Sequence, residues 1–548
     1  MPKEPIDIKK IKFEELDNLF QKRIFAIPEI QRDFVWTKAK IIELLDSIKK
    51  HYPIGSFLIC KVPAKMAKHI RESTVLPKFN SNNKECYIVI DGQQRLSVLY
   101  SILNEKKILD TRRYNEGIDF SEICLSPKQD KESEFDFYRT HENSHIKLHD
   151  ILNERLNLGL NKSKQKRIKD CRNAFKTYSF PFIFISGYDE PKMREAFIRL
   201  NKGGTSLSTE DKIFAMSYHK DTDFRRHCKA VLHDLKGGFD NFDIKHFIKS
   251  IAADLDVKDF VSSASLNNFA KKIKNPRNNL HIEYKKQNPK IFHSIKLAAD
   301  FLMQRFKHSS YIPYPAMLSI LSIFYYHNHN REPTEKQIRE IERWFWTTGF
   351  TKRYSGGNQR KNQLNDAHEM KNLAKNKNYK IKLESKTRIE PISIKDLARI
   401  KYNKSGALRD TFFCYLISKR PLNFSNGEQI PIVGVSSIFN IKNDHHIFPK
   451  AILIDYFHNE DINTILNICF LTFGENIKIK DKPPWVYLKE FEKKNNFNKV
   501  LDSHVLPYND CILKKGSIDN KFETFKKERI NLIKKDLTKL IGERYIID

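Results

Sequence analysis

Residues 444–450 read Asp-His-His-Ile-Phe-Pro-Lys; further on come Asn467-Ile468-Cys469-Phe470-Leu471-Thr472-Phe473-Gly474-Glu475-Asn476 and then Lys480. Adjacent histidines on an extended segment point opposite ways, so one can bind a metal ion while its neighbour faces a substrate. That division suits phosphodiester hydrolysis. One divalent cation polarises the scissile phosphate and stabilises the leaving oxygen, while a neutral imidazole takes a proton from the attacking water.

A second set lies near the start of the chain. Ile27-Pro28-Glu29-Ile30-Gln31-Arg32-Asp33-Phe34-Val35-Trp36 precedes a helix, and Asp91-Gly92-Gln93-Gln94-Arg95 sits where a strand turns into one. A glycine after an acidic residue at such a turn lets backbone amides approach a phosphate, and the helix N-terminus favours negative charge. Asp91 offers Mg²⁺ a carboxylate, Gln93 offers an amide to position water or a metal-bound ligand, and Arg32 and Arg95 offer bidentate donors to phosphate oxygens. Read alone, the Asp-Gly pair is equally a turn capping a helix over Leu96–Leu103, and Gln31-Arg32 a polar strand start. A third piece, Phe197-Ile198-Arg199-Leu200-Asn201-Lys202-Gly203-Gly204-Thr205-Ser206-Leu207, joins two helices, the second with Ser208 and Asp211 as a capping box. In isolation, Asn201–Gly204 reads as a Gly-rich interhelical loop. No GxxxxGK[ST] occurs, so nucleotide chemistry here is not of the P-loop type.

With the Asn that closes its second half, the C-terminal set resembles the HNH, or ββα-metal, nuclease family. The resemblance implies His446, before Ile-x-Pro, as general base and His445 as first metal ligand. It likewise implies Asn467 as the hydrogen-bonding tie of the loop, Asn476, nine residues later, as second metal ligand, and Lys480 as a phosphate contact. One imidazole and one amide oxygen leave most positions to water and phosphate, which favours Mg²⁺ or Mn²⁺ over a closed zinc site. Asn476 replaces the final His of the name-giving pattern, which leaves the metal preference open. The three N-terminal pieces, in this order and spacing, resemble the N-terminal domain of GmrSD-type restriction endonucleases, a domain related to the ParB/sulfiredoxin fold. That resemblance implies a nucleotide-hydrolysing, modification-sensing module binding NTP (GTP, ATP or another) through Gln31, Arg32, Asp91, Gly92, Gln93, Gln94, Arg95, Arg199, Asn201, Gly203 and Gly204, with Asp91 also a metal ligand. Trp344-Phe345-Trp346 to Arg353-Tyr354 resembles the helical region that follows in the same family.

These sets need three bodies to hold them: an α+β, multidomain chain. Residues 1–217 alternate short apolar strands with helices, an α/β pattern. Thr37 caps a helix carrying Ile41, Leu44, Leu45 and Ile48, and strands fall at Ser56–Cys60, Tyr87–Ile90 and Phe180–Ser186. Residues 218–390 are helical by period, with Pro315 opening a buried helix over Ala316–Tyr326. Residues 391–548 form a helical domain around the histidine pair. The tryptophans read as core anchors, Gly357–Lys382 as solvated linker or DNA-facing surface, and the basic stretch Lys514–Arg544 as a helix with its cationic face solvated or laid along phosphate.

The 548 residues carry 98 Lys+Arg against 67 Asp+Glu, a surplus of +31 that points to nucleic acid as partner. No signal peptide and no run of about 18 apolar residues is present, so a cytoplasmic protein with no membrane partner is expected. The eight cysteines form no Cys-x-x-Cys pair and read as reduced, buried thiols. The leading reading is a modification-dependent endonuclease acting on modified phage DNA in bacterial defence. A nonspecific DNase or RNase effector and a nucleotide-dependent DNA-binding regulator with an inactive HNH region are the alternatives. One HNH domain makes one nick, so double-strand cutting calls for a homodimer or two visits.

Overall fold

A computed structural model describes residues 6–548 apart from 29–30, 32–33, 67–69, 72, 74, 109–116, 126–133, 139–145, 155–161, 188–191, 194, 197–198, 200–208, 218–223, 433–443 and 494–495. The chain divides into two compact units, Met1–Asp221 and Thr222–Asp548.

The first unit is built on a six-stranded sheet. Its strands are β1 (Ile6–Lys12), β2 (Phe25–Pro28), β3 (Phe57–Pro63), β4 (Ile70–Arg71), β5 (Glu85–Asp91) and β6 (Ser179–Ser186), in the order β1-β6-β3-β5-β2-β4. The β6–β3 and β5–β2 pairs are parallel and the others antiparallel. Strand periodicity sends Phe180, Phe182 and Phe184 to one face with Phe57, Ile59 and Val89. That face is covered by α1 (Phe13–Gln21), α2 (Lys38–Lys49), α3 (Gln93–Leu103) and α4 (Lys162–Thr177). Cys60, Cys86, Ile88, Ile90 and Ile185 gather on the other. Burial on both faces explains why these strands read as apolar runs. Thr37 caps α2 by accepting from Lys40 N at 3.3 Å, and Ile41, Leu44, Leu45 and Ile48 are buried, as the helical spacing predicts.

The second unit is mainly helical. It includes α5 (Ile244–Asp254), α6 (Asn279–Phe306), α7 (Ala316–His327), α8 (Glu335–Phe350), α9 (Gln359–Lys375) and α10 (Ala407–Ser418). Every residue from Ala316 to Tyr326 is buried, because α7 is surrounded by α5, α6 and α9. Trp344 and Trp346 are core residues. The Gly357–Lys382 stretch departs from its expectation, since most of it is the helix α9, which buries Asn362, Gln363, Asn365, Asp366 and Glu369. The cause is a hydrogen-bonded polar core. Asp366 accepts from Arg353 Nη2 at 2.8 Å, Tyr354 OH at 2.8 Å and Trp344 Nε1 at 3.0 Å, and Glu369 accepts from Tyr379 OH at 2.9 Å. All eight cysteines are free thiols and buried. Among the described residues no helix is long and apolar enough to cross a membrane.

Candidate active site

In the second unit, β7 (Asp444–His446) pairs antiparallel with β8 (Ile468–Phe470), placing His445 opposite Cys469 and His446 opposite Ile468. The helix α11 (Phe473–Ile479) follows directly, with Asn476 in its middle and Lys480 at its C-cap, where φ is +48°. A strand–strand–helix unit thus carries all the C-terminal candidates; the His445 side chain lies outside the described residues.

Asn467, fully buried, ties the turn. Its Oδ1 accepts from Phe448 N at 2.9 Å, and its Nδ2 donates to Phe448 O at 3.0 Å and Ile462 O at 3.2 Å. Its backbone oxygen takes Ile447 N at 2.7 Å. The ring of His446 is held by Asn463, whose Oδ1 accepts from Nε2–H at 3.0 Å, and by Tyr402, edge-on with centroids 5.4 Å apart. This leaves the Nδ1 lone pair as the basic position. Burial lowers the His446 pKa, opposed by the Asn463 hydrogen bond and assisted by the Lys450 charge, so a neutral ring is favoured at neutral pH.

Two further supports carry no motif that sequence reasoning could find. Arg529, on α12 (Ile518–Ile541), is fully buried and pairs with no carboxylate among the described residues. Its guanidinium donates to Leu466 O at 2.7 Å, Ile468 O at 2.9 Å, His504 O at 2.9 Å and Val505 O at 3.1 Å. Burial pulls its pKa down to about 10. Tyr487 OH donates to Ile447 O at 2.9 Å. A buried arginine in a basic stretch has no compositional signature, and only its apolar neighbours Phe525 and Ile533 at helical spacing hint at the inward face. Glu475, beside Asn476, is buried, accepts from Ser425 N at 2.6 Å, and has its pKa raised by burial.

In the first unit the two described motifs meet. Gln31 Nε2 donates to Val89 O and to Ile90 O (3.1 Å for the latter), and Gln94 Oε1 accepts from Val35 N at 2.9 Å. Gly92 stands before α3 with φ +95°, where a Cβ would lie 2.5 Å from the Phe57 ring, so a side chain is strained there. Gln93 is buried at the first turn of α3. Arg95 turns inward, donating to Ile54 O at 2.5 Å, Ser56 O at 2.9 Å and Asp91 Oδ2 at 2.9 Å, above the Phe57 ring. Burial lowers its pKa and Asp91 offsets part of that. Asp91 is the more exposed partner. Arg199 is exposed and pairs with Glu195 at 2.8 Å, on the same stretch of chain. Arg32, Asn201, Gly203 and Gly204 lie outside the described residues, as does Ser208.

Residues 16–218, which hold both of these interlocked motifs, match the GmrSD restriction endonuclease, N-terminal domain. Across both units the chain is similar to the uncharacterized protein MJ0686 of Methanocaldococcus jannaschii, 25% identical over 94% of this chain and 96% of that protein.

Proposed function

We propose that the chain is a divalent-metal-dependent HNH endonuclease, regulated by NTP, that nicks or cuts modified phage DNA in the bacterial cytoplasm. The observation that carries the reading is the strand–strand–helix unit, which presents His446 on a paired strand and Asn476 on the next helix, joined to an N-terminal region matching a restriction endonuclease domain.

His446 acts as general base through Nδ1, with Asn463 fixing the tautomer by accepting from Nε2–H. Asn467 holds the turn rigid, and Lys480 stands at the open end of α11 to meet a phosphate oxygen. His445 and Asn476 would hold the metal. One imidazole and one amide oxygen leave most positions to water and phosphate, which suits Mg²⁺ or Mn²⁺. Such an ion supplies charge stabilisation at the scissile phosphate and the leaving oxygen. In the first unit Asp91 and the N-terminus of α3 form the NTP and metal end, and Arg95 reaches phosphate only by releasing Ile54 O and Ser56 O.

The test is cleavage of supercoiled DNA, modified and plain, with Mg²⁺ or Mn²⁺ and with or without each NTP. His446→Ala is expected to lower cleavage by about 10²- to 10⁴-fold, the usual worth of a positioned base. Full cleavage by that variant overturns the assignment.

A further inference from the structure

Strand β1 stands at one end of the six-stranded sheet and, among the described residues, is paired on one side only, with β6. From Ile6 to Lys10 every residue is exposed, so neither face of the strand is covered. Such an edge offers a row of unpaired backbone N–H and C=O groups to another strand. Proteins often blunt an edge with lysine, and Lys9, Lys10 and Lys12 stand here, but so do Ile6 and Ile8, 51% and 69% exposed. These isoleucines are not isolated. Ile8 shares a row with half-buried Ile183 and Leu58 across β6 and β3, and Ile6 shares the next with buried Ile185 and Cys60. The apolar face of the sheet thus runs out to its last strand uncovered.

The order of charges along β1 selects what fits the edge. Alternate residues aim their backbone groups at the same side, so residues facing each other across an antiparallel pair have the same parity, and a two-fold axis sets one residue against its own copy. Centring that axis on Asp7, Lys9 or Lys10 opposes like charges directly, which destabilises the pair. Centring it on Ile8 opposes Ile8 to Ile8 on one face. On the other face Asp7 then meets the partner's Lys9 twice, while Ile6 lies against the stem of the partner's Lys10. We propose that β1 pairs antiparallel with β1 of a second copy of this chain in this register, joining the two sheets into one. The Asp7–Lys9 bridge within each strand, 3.5 Å long, is exchanged for bridges between strands. So short a contact belongs with the small, transient interfaces, under about 1,200 Å². The inference goes beyond the nuclease reading and does not depend on it.

Sedimentation velocity of the full chain, over a concentration range of about a hundredfold reaching roughly 100 µM, is expected to show monomer passing into dimer. Ile8→Lys is expected to weaken self-association at least tenfold at unchanged melting temperature, since the side chain it replaces is exposed. Asp7→Lys and Lys9→Asp each weaken it as well, because each sets like charges across the pair. Mixing those two variants is expected to restore dimer, every facing charge in the mixed pair being opposite in sign; a defect confined to the Asp7–Lys9 bridge inside one strand could not be repaired in this way. A chain that stays monomeric throughout overturns the proposal, as does a dimer that survives Ile8→Lys. Dimer lost in both charge variants and not regained on mixing overturns the register, and with it the pairing of β1 with β1.

Discussion

The two candidate sites are stiffened in opposite ways. Around Asp91 the motif residues are themselves the scaffold: Gln31 holds β5, Gln94 holds Val35, and Arg95 binds Asp91 and the chain entering β3. Around His446 only Asn467 plays that part from within the motif, and the rest of the frame comes from distant segments, Arg529 and Tyr487. The first arrangement occupies the described polar groups of the motif in framing the turn, and of the Arg95–Asp91 pair Asp91 is the more exposed partner. In the second, the support comes from outside α11, the helix that carries Asn476 and ends at Lys480. A local cluster of conspicuous residues is therefore not by itself a measure of how much chemistry is on offer.

Substitution of the two arginines is the sharpest way to break this contrast. Arg529→Met leaves four buried carbonyls unmet and is expected to cost about 4 kcal/mol, against about 2 kcal/mol for Arg95→Met, whose Asp91 acceptor is partly hydrated. Urea unfolding measures both, with Trp344, Trp346 and Trp485 reporting the second unit and Trp36 the first. Equal losses would remove the distinction between inner and outer support.

Acid gives the next largest effect. Burial pushes the pKa of His504 and His327 down to about 4 and that of His246 to about 3, all in the second unit. Unfolded histidines take up protons near pH 6.5 while these folded ones do not, so stability falls as pH drops below 6.5 and is restored above it. Each contributes about 1 kcal/mol between pH 6.5 and 5.5, roughly 3 kcal/mol together. Melting followed by the second unit's tryptophans over that interval checks it; a pH-independent midpoint would show that the rings reach water.

The smallest effect sharpens the description of the Asp91 turn. Gly92→Ala at φ +95° against Phe57 is expected to destabilise the first unit by about 2 kcal/mol, seen through Trp36. A neutral result would mean that the turn adjusts freely.

Most of the scaffold was legible. The periodic Ile41, Leu44, Leu45 and Ile48, the apolar strands and the all-buried α7 follow from side-chain pattern alone. The twin histidines lie on β7, which pairs with β8, and Asn476 on α11 that follows, an arrangement that side-chain periodicity did not predict. Polar burial was not legible. Asn362, Asp366 and Glu369 look like solvated surface until Arg353, Tyr354, Trp344 and Tyr379 arrive as partners from other parts of the chain. Arg529 was hidden for the same reason, and Asn463 because an amide that accepts from one ring nitrogen has no spacing rule.

The eight buried thiols have a practical consequence. Burial drives Cys86, Cys171 and Cys469 up to about 12 and Cys124 and Cys511 to about 11, so little thiolate forms at ordinary pH. A cysteine engineered at any exposed position would be the chain's dominant addressable sulfur. Dyes, spin labels or cross-linkers can then be placed on either unit without first stripping out the native residues.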